Sequence, residues 1–423
     1  MPQLSPLRVM PSLSLLLALI TGPVSAAVDG LQAALQATLT RNPAVLGKQA
    51  QFRASGLLVE AAEAGRLPSF SLQASDLSNS SNSGQARLRQ PLWAFGKIDG
   101  AIELAEARAA QSRAELLQSS RQLLEETAAT YAQLLGLRAR LQVAERNVEE
   151  HEKLLGLISR RREGGVASQA DQRLANSRLI SASANRDQLQ GALDNAGHEL
   201  YALTRAQLAA QEPVATTLME LPAEGELQAQ AELQEAGILL RQVAVRVAER
   251  SAAQVKAELL PTLYAQFEHD IAADSASGYS PNRFGLVLEA QVDGFGLVGS
   301  KRLKAEAALI AAAEEELHGA RHQAQRRISS LLTQRRTQQQ LIEAQQEALI
   351  AVEETLASYL RQFDAGRKSW LDVLNTQREL ADIRQQLEAA RSNWQEQSLR
   401  LGALLGRLDG MAGLDPDTPE TIR

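Results

Sequence analysis

The sequence predicts a mainly α-helical protein with a small β part, in which a long antiparallel coiled-coil hairpin occurs twice. Two stretches, residues 162–171 and 363–372, each break a very long helical pattern with glycine and restart it at once. In both, a glycine suits the left-handed position that closes a helix, and a serine three residues later suits the cap of the next helix. An aspartate three residues further on completes a Ser-x-x-Asp capping box. The chain is therefore predicted to be an internal duplication.

The composition favours long helices packed side by side over a compact mixed domain. Only 4% of the 423 residues are aromatic, while 44% are hydrophobic. The formal net charge is −6, and charges of both signs alternate along the helices, so nucleic acid is not an expected partner.

Residues 1–26 are predicted to be an export signal, with Arg8, an apolar core at 13–20 and a small-residue cleavage site at 24–26. The alternative is a membrane anchor, but a membrane-spanning helix needs about 20 apolar residues, more than this apolar core contains. The sequence contains no cysteine, so neither disulfides nor a lipid-anchoring thiol is expected.

Each repeat is predicted to contain a helix, two strands and a helical hairpin, in that order. The first repeat, 27–212, has its strands at about 69–77 and 86–93 and its hairpin at about 98–208. A linker, 213–226, leads to the second repeat, 227–408, with strands at about 262–271 and 283–292 and a hairpin at about 300–408. The tail, 409–423, has two prolines and no apolar period, and is predicted to be disordered.

Alignment of the two glycine turns places apolar residues of the two long helices opposite each other. They recur at the seven-residue spacing of a coiled coil. The pairs are Leu141 with Ile342, Val148 with Leu349, and Leu155 with Leu356. The alignment was set by the turns alone, so this agreement supports the duplication.

The four predicted strands have the length that crosses a bilayer as a tilted strand. Four strands cannot close a barrel, and open edges are not tolerated in lipid. A membrane role therefore requires several chains to share one barrel. The alternative is a soluble sheet that caps the helical rod.

The order of the motifs resembles the TolC family of bacterial outer-membrane exit ducts over residues 30–408. It rests on Asn42-Pro43, the Leu-Pro before each first strand, Gln90-Pro91-Leu92 leading to Phe95-Gly96, and the twin turns. The resemblance implies a homotrimer in the outer membrane of a Gram-negative bacterium. Its four strands per chain would complete a twelve-stranded barrel, and its helices would form a periplasmic tunnel. Such ducts have no enzymatic activity or cofactor, and they serve an inner-membrane ABC or RND transporter through a periplasmic adaptor.

The resemblance also assigns roles to residues at the two turns, which would be the periplasmic tips. The residues implied to dock the adaptor are Gly165, Val166, Ser168, Gly366 and Ser369. Those implied to form the aperture and its gate are Asp171, Phe363, Arg367, Lys368, Asp372 and Asn375. The alternative for both aspartates is a simple helix-start role.

Three positions depart from the pattern of the family's best-known member. Asn375 replaces an acid, Phe363 replaces a tyrosine, and Lys368 replaces an arginine, with Arg367 as a possible substitute. The polar contacts that hold the aperture closed are therefore expected to be weaker than in that member. Whether Arg367 or Lys368 forms the clasp stays open.

The segment 363–380 and the absence of cysteine favour a duct for type I secretion of adhesins. A drug or metal efflux duct is the alternative, and a soluble periplasmic scaffold or adaptor is the alternative of another class. His318 and His322 stand four apart on a helix, but no third ligand is near, so surface positions are expected.

Overall fold

The computed structural model describes residues 30–77, 81–208, 212–271, 281–291 and 293–416. The predicted signal peptide, 1–26, and most of the loop predicted between the last two strands lie outside these ranges. The described residues form a long rod that has a β-sheet at one end and two helical turns at the other.

Thirteen helices and strands are described, in the predicted order. The helices are α1 (Leu31–Arg41), α2 (Pro43–Glu63), α3 (Lys97–Glu163), α4 (Gln169–Thr204), α5 (Glu224–Gln234), α6 (Ala236–Glu258), α7 (Leu297–Asp364), α8 (Trp370–Leu404) and α9 (Asp409–Ala412). The strands are β1 (Ser69–Leu77), β2 (Ser81–Trp93), β3 (Thr262–Asp270) and β4 (Asn282–Glu289).

The helices pack side by side as a single layer in each half of the rod. Near the sheet the order is α2–α3–α6–α7, and near the turns it is α4–α3–α8–α7. Both long helices run the whole way, since α3 has 67 residues and α7 has 68, about 100 Å each. The two repeats therefore meet along α3, with α7 at one edge throughout.

The sheet is antiparallel with the strand order β1–β2–β3–β4. Its register pairs Phe70 with Leu88 across β1 and β2, and Arg87 with Glu268 across β2 and β3. Strands β1 and β4 are its edges.

In each repeat, two consecutive residues with left-handed backbone conformation connect the second strand to the long helix. Phe95 and Gly96 have φ values of 49° and 85°, and Phe295 and Gly296 have 53° and 84°. The repeated sequence Phe-Gly thus encodes the same turn twice, which supports the predicted duplication.

The main core lies at the middle of the rod, where α1, α3, α8 and α9 meet around Leu35, Leu124, Tyr131 and Leu399. A second cluster lies beside the turns and joins the two hairpins through Ile158, Val373 and Leu374. The predicted seam residues Leu141 and Val148 are buried.

Three predicted boundaries need correction. Strand β2 begins at Ser81 rather than near 86, because its polar start pairs with β1 through backbone hydrogen bonds, which any residue can supply. Strand β4 ends at Glu289 rather than near 292, ahead of a left-handed turn at Gly294. In the second repeat helix α5 begins at Glu224, inside the predicted linker, and Glu235 then starts a separate helix by capping Ile238 N–H at 2.7 Å.

The prediction of a disordered tail from 409 is wrong for 409–416. Asp409 begins α9 and is 4% exposed, and Arg121 of α3 donates to its carboxylate at 2.7 Å. Leu408, Ala412 and Leu414 are buried in the main core. The segment has too few apolar residues to show a helical period, but a tertiary ion pair and three apolar anchors hold it in place.

Among the described residues, no helix has both the length and the apolarity that crossing a bilayer demands.

Candidate functional site at the two helical tips

The first tip joins α3 to α4 through a glycine turn of the predicted kind. Gly165 has φ +72°, its N–H donates to the Arg162 carbonyl, and Val166 N–H donates to the Arg161 carbonyl. This pair of bonds is a Schellman motif, which satisfies the free carbonyls of the last helical turn. Ser168 then caps α4, because its hydroxyl accepts from Asp171 N–H at 3.1 Å.

The second tip repeats this geometry between α7 and α8. Gly366 has φ +69° and donates to the Phe363 carbonyl, while Arg367 N–H donates to the Gln362 carbonyl. Ser369 accepts from Asp372 N–H at 3.2 Å. The predicted glycine turns and serine caps are thus confirmed at both tips.

The two tips are joined by Arg161 of α3 and Phe363 of α7. The guanidinium lies 4.4 Å from the centre of the Phe363 ring and donates to the Phe363 carbonyl at 3.3 Å. It also lies 3.5 Å from the Asp364 carboxylate. The other neighbour of Phe363 is Trp370, at 5.1 Å between ring centres. Phe363 therefore takes part in a cross-hairpin link without a hydroxyl.

Lys368 and Asp372 form an ion pair inside the second tip. Lys368 Nζ lies 3.6 Å from the Asp372 carboxylate and 4.2 Å above the Tyr359 ring. The Ser369 hydroxyl donates to that carboxylate and lowers the pKa of Asp372, with Lys368 adding to the effect. The Asp372 carboxylate is thus held in its charged form by contacts within the second tip.

The other residues implied at the tips have different surroundings. Asp171 accepts from the Ser168 backbone and hydroxyl at 3.0 and 2.7 Å, so its carboxylate is engaged in a capping box. Neither Arg367 nor Asn375 makes a side-chain hydrogen bond or ion pair with any residue that the structure describes. Val166 is 74% exposed at the end of the rod.

Sequence reasoning did not identify Arg161 as the residue that links the tips. It lies in a run of three arginines, a pattern equally typical of a favourable charge at a helix C-terminus. The only available signal was the position of this run beside the first tip. Its partner, Phe363, is about 200 residues away in the sequence, so the link depends on how the hairpins pack.

The sheet at the opposite end of the rod has two unlike faces. One face carries large exposed apolar side chains: Phe70, Leu72, Leu88, Phe284, Leu286 and Leu288. On the other face, Arg87 donates to Glu268 at 2.8 Å, Arg283 approaches the same carboxylate at 3.1 Å, and Arg89 donates to Gln266. An apolar outer wall and a charged inner wall are what a strand between lipid and water requires.

A two-faced sheet on a rod of long helical hairpins defines a class of channel-forming outer-membrane proteins. The chain belongs to the outer membrane efflux protein family, whose model matches residues 34–204 and 227–407. These two matched segments correspond to the two repeats. The chain is therefore an outer-membrane protein of a family of channels rather than enzymes, and the resemblance to the TolC family is confirmed.

Solved structures show the same fold over most of the chain. A membrane protein from Pseudomonas aeruginosa matches with a TM-score of 0.77 and 18% identity, over 89% of this chain and 90% of its own. VceC from Vibrio cholerae matches with 0.75 and 19%, over 89% and 96%. The open-state channel MtrE of Neisseria gonorrhoeae matches with 0.74 and 17%, over 89% and 88%. No curated protein matches this chain in sequence.

Proposed function

We propose that three copies of this chain form a duct that carries substrates across the periplasm and the outer membrane. The observation that supports the duct best is that every layer of the chain ends in two free edges. The edges are β1 and β4 in the sheet, α2 and α7 in the adjacent half of the rod, and α4 and α7 near the tips. A ring of copies closes all three layers at once, because each first edge meets the last edge of its neighbour.

Closure of the sheet also sets a lower limit on the number of copies. Known membrane barrels begin at eight strands, so one chain with four strands is insufficient. Three chains give twelve strands, the number that the family resemblance implies. In this arrangement the apolar face of the sheet contacts lipid and the Arg87–Glu268–Arg283 face lines the pore.

The tips are proposed to be the adaptor-docking and gating end of the duct. The exposed turns, with Gly165, Val166, Ser168, Gly366 and Ser369, present backbone and small side chains to an adaptor hairpin.

The gate is proposed to hold three Asp372 carboxylates around the axis. At about 4 Å each pair would repel by about 1 kcal/mol in water and about 4 kcal/mol in a partly screened site. Asp171, Arg367 and Asn375 complete the aperture in this proposal, and Lys368 partly neutralises the ring.

A cysteine cross-link tests the ring, because the chain has no cysteine of its own. Ile180 on α4 and Ile350 on α7 are 62% and 61% exposed, and both lie about 15 residues, or about 22 Å, from their tips. We expect Ile180→Cys with Ile350→Cys to give covalent trimers on oxidation and no larger species. Ile180→Cys with Leu309→Cys, whose α7 site is about 85 Å from the tip, is the control without a cross-link. Covalent ladders beyond three copies, or monomers only, would refute the trimeric ring.

The cargo is proposed to be a large secreted protein of the adhesin type, delivered by an inner-membrane ABC transporter. The segment 363–380 and the absence of cysteine support this choice. The alternative is a drug or metal efflux duct paired with an RND transporter, and MtrE and VceC share the fold. Deletion of the gene tests both: loss of a surface protein supports secretion, whereas drug or metal sensitivity with an intact surface supports efflux.

A further inference from the structure

A half-open cavity of about 350 Å³ lies between α3, α4 and α8. One of its lining residues, His151, stands 13 residues before Gly164 on α3, so the cavity lies about 20 Å from the tips. One water needs only about 10–15 Å³ of such volume. The cavity therefore has room for a polyatomic ligand together with water.

The lining of the cavity is cationic. It contains three arginines, Arg140, Arg178 and Arg378, and one acid, Asp382, so its formal charge is 3 − 1 = +2 with histidine neutral. Arg140 is committed to Gln385, to which its Nε donates at 3.1 Å. Arg178 and Arg378 make no ion pair with any residue in the described part of the chain. Two guanidinium groups, one on α4 and one on α8, are thus available to a ligand.

Three buried polar atoms of the lining lack a hydrogen-bond partner: His151 Nδ1, Asn147 Oδ1 and Arg178 Nε. His151 is only 3% exposed, and burial lowers its pKa, with Arg178 adding to the effect and Glu150 opposing it. Buried polar groups in proteins are nearly always paired. These three atoms are therefore available to hydrogen-bond a polar ligand in the cavity.

The duplication does not account for these residues. With the glycine turns aligned, the positions equivalent to Asn147, His151 and Arg178 are Ala348, Val352 and Glu379. The second repeat thus has apolar or acidic side chains there. Asn147, His151 and Arg178 are therefore particular to the first repeat, so they are not a general requirement of the hairpin.

We propose that this cavity binds a small oxyanion, of the phosphate or sulfate type, that joins the first hairpin to the second. Arg178 of α4 and Arg378 of α8 supply charged N–H donors, which make strong hydrogen bonds to oxyanions. Neutral His151 donates from Nδ1 in one tautomer, and Asn147 presents its amide NH2 when its terminal group is turned by half a rotation. The net positive lining disfavours a cation.

Titration calorimetry on the full-length, detergent-solubilised protein tests the site with sodium phosphate, sodium sulfate and sodium acetate at constant ionic strength. We expect saturable binding of phosphate or sulfate with one anion per chain. Arg178→Gln and Arg378→Gln should each weaken it at least tenfold. Acetate tests whether a simple carboxylate binds, and equal binding of acetate and sulfate would exclude a preference for the tetrahedral oxyanion.

Arg173→Gln is the matched control, because it removes the same charge from the exposed side of the same helix. Its affinity should equal that of the wild type, and tungstate soaked into crystals should give an anomalous peak between Arg178 and Arg378. Circular dichroism verifies that each variant is folded. The proposal is overturned if no anion binds saturably, if acetate binds as well as sulfate, or if Arg173→Gln weakens binding as much as Arg178→Gln.

Discussion

The two long helices α3 and α7 have nearly the same length and equivalent places in the duplication, yet their surroundings differ. Twenty-two residues of α3 are buried, against five of α7. The second helices of the hairpins show the reverse order, since α8 has fifteen buried residues and α4 has six. The inner pair, α3 and α8, is covered on both sides by its own chain, whereas the outer pair, α4 and α7, is covered on one side. The hairpin of each repeat thus has one inner helix and one outer helix.

The exposed apolar residues of the outer pair give this difference a functional meaning. Ile180 of α4 and Leu309, Leu341 and Ile350 of α7 are 42–62% exposed. Large apolar side chains on long edges are typical of an interface. These side chains are therefore candidates for the contact between neighbouring copies in the proposed ring.

The largest effect is expected from Ile350→Asp on the outer helix α7. Complete burial of an isoleucine contributes about 1.5–3 kcal/mol, and a ring of three copies loses it three times while burying three carboxylates. The trimer should dissociate, as measured by light scattering in detergent. Ile350→Leu is the control and should leave the trimer intact; a stable trimer of Ile350→Asp would mean that α7 is not the interface.

A pair of equivalent leucines measures the difference between the inner and the outer helix directly. Leu116 of α3 is 1% exposed, and its equivalent in the second repeat, Leu317 of α7, is half-buried. We expect Leu116→Ala to cost about 2–5 kcal/mol of unfolding free energy and Leu317→Ala less than about 2 kcal/mol. Guanidinium unfolding followed by circular dichroism provides the values. Equal losses would contradict the inner and outer assignment.

At the tips, the contacts between the two hairpins should keep the proposed gate closed more strongly than the contacts within one hairpin. Arg161→Ala removes the contacts to Phe363 and Asp364 across the hairpins, whereas Lys368→Ala removes only contacts within the second hairpin, those to Asp372 and Tyr359. In planar bilayers we expect a clear rise in single-channel conductance for Arg161→Ala and a smaller one for Lys368→Ala, because exposed ion pairs contribute about 0–1 kcal/mol.

Asp372→Ala is a separate test of the gate, since it removes the proposed ring of charge. If conductance stays at the wild-type level in Arg161→Ala, Lys368→Ala and Asp372→Ala, the proposed gate is wrong.

The smallest effect is a pH dependence from His151, a residue without a counterpart in the second repeat. Burial lowers its pKa below the ordinary value of about 6.5, so the unfolded chain binds more protons than the folded one as the pH falls past that value. Stability from this group is therefore complete above about pH 6.5 and decreases under acid. The other charged side chains around the cavity are Arg140, Arg178, Arg378 and Asp382.

Thermal unfolding at pH 7.5 and 5.5, in buffers without phosphate or sulfate, measures this dependence. His151→Gln should reduce the difference between the two pH values, whereas His198→Gln, at an exposed position of α4, should not. A difference that is unchanged by His151→Gln would assign the acid sensitivity to other groups.

Much of the architecture was predictable because local signals and the duplication agree. Glycine followed by a serine cap specified both tips, and the Phe-Gly pairs marked both strand-to-helix turns. These signals act over a few residues, through backbone conformation and nearby hydrogen bonds. The resemblance correctly placed the chain in a channel family of the outer membrane.

The errors and omissions share one physical cause. The ordering of 409–416 depends on Asp409 meeting Arg121, and the link at the tips depends on Arg161 meeting Phe363. The cavity depends on His151, Arg178 and Arg378 converging from three helices. Each involves residues that the sequence separates widely, and no local pattern reports such a meeting.

By itself, the sequence determined the order and the turns of the main elements, because periodicity and capping are properties of short segments. Only the tertiary structure decided which helices of the two equal repeats lie inside and which lie at the edges. That choice depends on side-by-side packing of whole helices, where one face of α3 packs against α8 and the corresponding face of α7 stays exposed. The same packing, rather than any local motif, brings the charged residues of the tips and the cavity together.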